Sequence, residues 1–277
     1  MSEHRQHTEG RVGQVKEVTS LANPLVKNIR ALALKKFRDQ QNAFLAEGLK
    51  LVIDALDLGW TIRTLVFAKA GIGNPAVEKV AARTVAAGGL VLEVSEKVLS
   101  AITRRDNPQM VIGVFTQRTM PIETIRPSGD DVWVALDRVR DPGNLGTIIR
   151  TCDAAGAGGV ILIDDCCDPY SVEAVRATMG SVFAVSVTKT TTDAFLEWRP
   201  TWPGSVIGTR LDATHDYRAA PIEHPALILM GNEQAGLTDR LAAACDVNVK
   251  IPMRGRADSL NLAIATGIMV YAATEGT

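Results

Sequence analysis

The chain has 277 residues, 46% of them hydrophobic and 22% charged, with a formal net charge of −1 at pH 7. That length allows two domains, and the composition is that of a globular chain without the uncharged apolar run of roughly 18 residues that a membrane span needs. Near-neutral charge offers no chain-wide attraction for nucleic acid, so any such contact must be local.

The first residues, "MSEHRQHTEGRVGQ", are polar and mixed in charge, and residues 1–16 are expected to be a disordered leader. Asn23-Pro24 then starts a helix, with Leu25, Ile29 and Leu32 on its apolar side. From Asn23 to Arg38 the basic residues Lys27, Arg30, Lys35, Lys36 and Arg38 occur without an acid. In a near-neutral protein such a stripe is a footprint of phosphate contacts. The strand "AFLAEG", helix "LKLVIDALDLG", strand "IRTLVFA", a helix near 75–87, and strands "LVLEV" and "VIGVF" follow. This alternation predicts a small α/β domain over 17–116. Arg104 and Arg105, in the loop "TRRDNPQ", are further candidates for an RNA backbone. Residues 117–130 are rich in Pro and polar groups without a sustained period, and are expected to be a linker.

From 131 the alternation strengthens. "VWVAL", "VILI", "AVSV", "VIGT", "ALILM" and "VNVKI" are short β-branched runs, as buried parallel strands are. Helices are expected at 144–156, 171–180, 192–198, 238–244 and 260–274 between and after them. Six strands with crossover helices predict an open, mainly parallel sheet over 131–277, with its site at the carboxyl ends of the strands.

Three stretches at such ends place Gly or Pro, then Asn, beside a charge: "RDPGNLGTIIR" at 140–150, "LMGNEQAGL" at 229–237 and "IPMRGRADSLN" at 251–261. Asn144 is a candidate helix cap, and Arg150 sits unexpectedly close to the apolar stripe of its helix. A dinucleotide fingerprint must open a helix after a strand, whereas "GAGG" at 156–159 follows a helix and precedes a strand. No P-loop, nucleophile elbow or His-based triad can be assembled. The cysteines, at 152, 166, 167 and 245, form no C-x-x-C pair, and two of the four histidines, His4 and His7, lie in the leader. No metal site is expected, and a cytoplasmic setting is.

Taken in order, these stretches resemble the SpoU (TrmH-like) family of RNA ribose 2′-O-methyltransferases in the SPOUT superfamily. Asp141, Pro142, Asn144, Gly146 and Arg150 match its first motif. Gly231, Glu233 and Gly236 match the second, and Ile251, Pro252, Met253, Ser259, Leu260 and Asn261 the third. Arg176, Gly180 and Phe183 lie in an intermediate stretch similar to the family's. Thr178 stands where relatives often have Ser, and Ala263 where some have a second Ser. The N-terminal part, "NPLVKNIRAL…FLAEGLKLV", resembles the L30e-like RNA substrate-binding domain that often precedes this one.

The resemblance implies a trefoil-knotted catalytic domain and a homodimer. It also implies S-adenosylmethionine held by Met230, Gly231, Asn232, Gly236, Ile251, Met253 and Leu260. Arg150 would hold a phosphate and polarise the 2′-oxygen. Asn144 and Asn261 would orient the ribose and Arg150, Glu233 would fix Arg150 by charge pairing, and Ser259 would hydrogen-bond close by. The implied substrate is structured RNA, with ribosomal RNA favoured over transfer RNA. An RNA-binding assembly factor with an idle pocket stays open at this point.

Overall fold

Residues 13–274 are described by the structure, a computed structural model, and they divide after Gln117 into two units. Most of the expected leader, residues 1–12, therefore lies outside the described residues. Its last positions do not: β1 (Gln14–Val18) is a strand, parallel to β4 (Leu90–Val94). Four of its five residues are exposed, so main-chain pairing rather than an apolar pattern holds it.

The basic stretch forms two helices, α1 (Pro24–Ala31) and α2 (Lys35–Gln41), with Asn23 capping the first through a hydrogen bond from the Leu25 amide. Val26, Ile29 and Leu32 are buried, whereas the expected Leu25 is only half-buried. The remaining elements of this unit are β2 (Ala43–Glu47), α3 (Leu49–Asp57), β3 (Ile62–Ala68), α4 (Pro75–Ala86), α5 (Glu96–Thr103) and β5 (Val111–Thr116). Its five-stranded sheet has the order β1-β4-β3-β5-β2, with β5 antiparallel to both neighbours.

The second unit alternates as expected: β6 (Val132–Asp137), α6 (Pro142–Ala154), β7 (Gly159–Ile163), α7 (Val172–Ala177), β8 (Ser186–Thr190), α8 (Thr192–Trp198), β9 (Val206–Thr209), β10 (His215–Asp216), β11 (Ala226–Met230), α9 (Asp239–Ala243), β12 (Val247–Lys250) and α10 (Leu262–Thr274). The sheet has seven strands rather than six, all parallel, in the order β10-β12-β9-β11-β6-β7-β8. The additional strand, β10, is two residues long and too short to show a pattern.

Successive residues of a strand face opposite sides of the sheet. Val132, Val134 and Leu136 accordingly pack with Leu145, Ile148, Ile149 and Cys152 of α6 and with Met269 and Val270 of α10. Trp133 and Ala135 face the other way, into Phe195, Trp198, Trp202 and Leu241. Ile122 and Ile125 join that second layer, and the Met120 amide donates to the Val187 carbonyl. The stretch expected to be a linker is thus packed onto this unit from Arg118 onwards.

β6 has β7 and β8 on one side and β11, β9 and β12 on the other, so the strand order reverses there. A crevice opens outside the carboxyl ends of strands at such a switch point. The three loops singled out in the sequence are those that leave β6, β11 and β12.

Candidate active site and cofactor pocket

Asp141, not Asn144, caps α6: its carboxylate accepts from the Asn144 amide at 2.6 Å. Asn144, one turn into the helix, is free to use its side chain elsewhere. Its Nδ2 donates to Glu233 Oε1 at 3.3 Å, and its Oδ1 accepts from Asn261 Nδ2 at 2.9 Å. Asn261 is itself fixed, because its Oδ1 accepts from the Ala263 and Ile264 amides at the start of α10. One side chain from each of three loops therefore forms a single line, Asn261 to Asn144 to Glu233.

Further bonds join the loops after β6 and β11. Asn232 Nδ2 donates to the Arg138 carbonyl at 2.7 Å, while its Oδ1 accepts from the Gln234 and Ala235 amides and shapes the turn. Glu233 Oε2 accepts from the Arg140 amide, and Asp137 from the Thr238 amide. Asp137 is fully buried, and Arg138 forks onto it with Nε at 2.8 Å and Nη2 at 3.0 Å. That pairing raises the pKa of the guanidinium further above its ordinary value. Arg138 is in the left-handed region at φ 51°, and its carbonyl accepts from Asn232.

Beside these loops lies a cleft open to solvent. Met230, Gly231, Asn232, Gly236, Ile251, Met253 and Leu260, expected at a cofactor, all line it, as do Glu233 and Ser259. A Cβ on Gly231 would come within 2.1 Å of the Leu237 amide nitrogen, and Gly236 has φ 67°, so both glycines are required by the turn. The main chain of residues 252–260 makes no hydrogen bond among the described residues. Its amides and carbonyls are open to a ligand.

Apolar walls, unpaired main-chain donors and acceptors, and no clustered carboxylates suit a neutral heterocycle carried on a sulfonium. Thr209, Arg210, Leu211, Gln234 and Lys250 also line the cleft and were not expected from the sequence. Thr209 and Lys250 end parallel strands, which was the available signal. Ala263, where some relatives have a second Ser, is on the core-facing side of α10 and buried.

Two family models match the chain. Residues 131–271 match the model of the SpoU rRNA Methylase family, and residues 23–113 that of the MRM3-like substrate binding domain. The chain belongs to the SpoU family. One family relative is the 23S rRNA (guanosine(2553)-2′-O)-methyltransferase RlmP of Bacillus subtilis, 31% identical over 93% of this chain and 98% of its own. Another is a 23S rRNA (uridine(2479)-2′-O)-methyltransferase of Streptomyces viridochromogenes, 30% identical over 86% and 84%. Among solved structures, an AdoMet-bound rRNA methyltransferase from Sinorhizobium meliloti superimposes with a TM-score of 0.90 at 60% identity, covering 95% of this chain and 98% of that one.

Within this family fold, Arg150 departs from what was expected. Glu233 does not pair with it; Glu233 is taken up by Asn144 and the Arg140 amide, and the Arg150 side chain makes no ion pair or hydrogen bond among the described residues. On a helix, Arg150 lies roughly 120° around the axis from Asn144, so the two face different directions. Ser259 is exposed and bonds only to Asp258, at 3.5 Å.

The expected RNA contacts also separate. Lys27, Arg30, Lys36 and Arg104 are exposed, while Lys35 pairs with Asp39 at 2.7 Å and Arg105 lies 3.9 Å from Glu47. Arg38 is 3% exposed, and its Nη1 donates to the Leu32 and Ala33 carbonyls at 2.9 Å. It staples the junction between α1 and α2 and does not present its charge to solvent.

Burial pushes the thiols of Cys152, Cys167 and Cys245 up to about 12 and that of Cys166 to about 11, so none is a thiolate nucleophile near neutral pH. Among the described residues, no group of three or more His, Cys, Asp or Glu could hold a metal ion, and no helix is long and apolar enough to cross a membrane.

Proposed function

We propose that this protein transfers a methyl group from S-adenosylmethionine to the 2′-hydroxyl of a ribose in ribosomal RNA. The observation that carries the reading is the line Asn261–Asn144–Glu233, which joins all three motif loops at the edge of a cleft suited to the cofactor. The names of the family relatives support ribosomal RNA, and the AdoMet-bound neighbour supports the cofactor.

The cofactor, when bound, supplies an electrophilic methyl group and requires no metal. The protein's part is in-line positioning, exclusion of water and help in removing a proton. Both ends of the Asn144 amide are occupied, which fixes its orientation and leaves its second N–H for a ribose oxygen. Met230, Ile251, Met253 and Leu260 wall the cleft, and main-chain groups of Met253, Ser259 and Leu260 bind the cofactor without side-chain charge. Arg150 holds a substrate phosphate and polarises the 2′-oxygen. A guanidinium stays protonated at accessible pH, so the proton passes to a phosphate oxygen or to water.

Because Arg150 faces away from its own Asn144, the complete site is built from two copies, with Arg150 of one chain serving the cleft of the other. The trefoil knot implied by the family resemblance belongs to the same reading, as does a cytoplasmic setting where ribosomal RNA is accessible. The N-terminal unit, over 17–116, grips RNA through Lys27, Arg30, Lys36 and Arg104.

The test is mass-spectrometric mapping of ribose methylation in ribosomal RNA from cells with and without the gene, with calorimetry of S-adenosylmethionine on the purified protein. One methylated ribose should disappear with the gene. Binding of the cofactor with no ribose methylation missing from ribosomal RNA would redirect the search to transfer RNA, and absence of cofactor binding would favour an assembly factor.

A further inference from the structure

The lysines and arginines of the second unit fall into two groups. Most are neutralised within the unit: Arg138 on Asp137, Arg140 on Asp165, Lys189 on Asp168, Arg199 on Asp246, Arg210 on Asp212 and Asp239, Arg218 on Asp216, and Arg240 on Asp193. Arg126 bonds to main-chain carbonyls, and Arg118 and Arg176 are also partnered. Arg150, Lys250, Arg254 and Arg256 alone have no side-chain hydrogen bond or ion pair among the described residues. Arg150 already has a role, and the other three share one continuous stretch of chain.

Lys250 ends β12 and lines the cleft. Arg254 and Arg256 are exposed on the loop that runs from it, between cleft residues Met253 and Ser259. Between them, Gly255 has open space around the position a Cβ would take, so nothing packs the loop against the body of the unit there. The carboxylate of Asp216 feels the charge of Arg254, but both its oxygens are occupied by Arg218, at 2.9 and 2.6 Å. A unit that partners every other cation but Arg150 and leaves these beside its reaction cleft keeps them for an external anion.

We propose that Arg254 and Arg256, supported by Lys250, are a phosphate clamp that holds the RNA backbone next to the target ribose at the mouth of the cofactor cleft. This rests on the proposed reading of the protein as an RNA methyltransferase. The geometry favours phosphate over the carboxylate of the cofactor's methionine part, because the two arginines are exposed and outside the cleft lining, which only Lys250 of the three reaches. Each exposed guanidinium fork can pair with the two acceptor oxygens of one backbone phosphate.

The test compares the unchanged protein, Arg254→Gln/Arg256→Gln and Arg254→Lys/Arg256→Lys. The probe is deproteinised 23S ribosomal RNA from cells lacking the gene, with affinity measured over a salt series. Each phosphate that the protein no longer neutralises flattens the slope of log affinity against log salt by about 0.7 for single-stranded RNA. The Gln pair should flatten it by about 1.4 and weaken binding at least tenfold at low salt, while the Lys pair keeps most of the slope. S-adenosylmethionine affinity, measured by calorimetry, should stay unchanged in both. An unaltered salt slope in the Gln pair overturns the clamp, and so does a loss of cofactor affinity with RNA affinity intact, which would assign the arginines to the cofactor's carboxylate. If the unchanged protein binds the probe but methylates no ribose, the functional reading falls while the slopes still decide the clamp.

Discussion

Arg38 and Lys36 stand two positions apart in the same basic stretch, yet they do different work. Arg38 is 3% exposed and satisfies two carbonyls where α1 gives way to α2, whereas Lys36 is exposed. Hydrogen bonds to a charged donor contribute roughly 1.5–3 kcal/mol each, so losing these two in Arg38→Ala should lower stability by about 3–6 kcal/mol in urea unfolding. Lys36→Glu should leave the unfolding curve in place and weaken RNA binding. Equal effects of the two changes on RNA affinity, without a stability difference, would contradict the assignment. The sequence showed the charge of this stretch but not its burial, because a bend after Leu32 decides which side chain is turned inward. Arg150 poses the opposite case. It was legible as an oddity in an apolar helix, but its expected partner Glu233 is committed to Asn144. If Arg150 presents a planar fork to phosphate and ribose oxygen, Arg150→Lys should lose turnover nearly as severely as Arg150→Ala, on the order of 10²-fold by analogy with other preorganised donors. Near-normal turnover in the Lys variant would mean that charge alone suffices.

Elements were legible where burial imposed a period. The strands of the second unit and α6 could be read because their apolar residues repeat, and the loops after β6, β11 and β12 could be read because Gly, Pro and Asn mark special backbone. β1 was illegible because it presents four exposed residues, and β10 because it has only two. Gly146 shows a further limit. It belongs to the first motif, yet it sits where α6 meets α7: a Cβ there would lie 2.5 Å from both the Ala174 carbonyl oxygen and the Ala177 Cβ. Its role is close helix packing, and nothing in spacing alone separates that from chemistry. Gly146→Ala should therefore cost about 1–3 kcal/mol of stability as the helices are forced apart. Gly231→Ala should act differently, because its Cβ would strike the main chain of Leu237 inside the turn that lines the cleft. Cofactor affinity should fall at least tenfold while the unfolding midpoint moves less than for Gly146→Ala. The reverse ranking would assign Gly231 to packing and remove it from the site.

At the scale of the whole molecule, the proposed two-copy site requires that one chain present half of what the reaction needs. The α10 helix buries Leu262, Ala263, Thr266, Met269, Val270 and Ala273, but Ile264 is 58% exposed and Tyr271 47% exposed. These two, with the half-buried Ile268 between them, fall on one helical face at spacings of four and three, an apolar row that the described residues cover only in part. An isologous partner is the commonest cover for such a row, and Arg150, turned roughly 120° around the helix from its own Asn144, is what that partner would receive. The homodimer can be tested by mixing two inactive chains. Arg150→Ala removes the arginine that one copy donates, and Leu260→Trp blocks the cleft that receives it, so each variant alone should be inactive. After subunit exchange, about half the dimers are hybrids with one intact site of two, and activity should return to roughly a quarter of the unchanged protein. Exchange is verified independently by mass tags on the two chains. If the mixture stays inactive although hybrids have formed, each site is built within one chain, and Arg150 must reach its own Asn144 by a change in α6. A monomer by light scattering at the assay concentration, with full activity, would remove the dimer from the mechanism altogether.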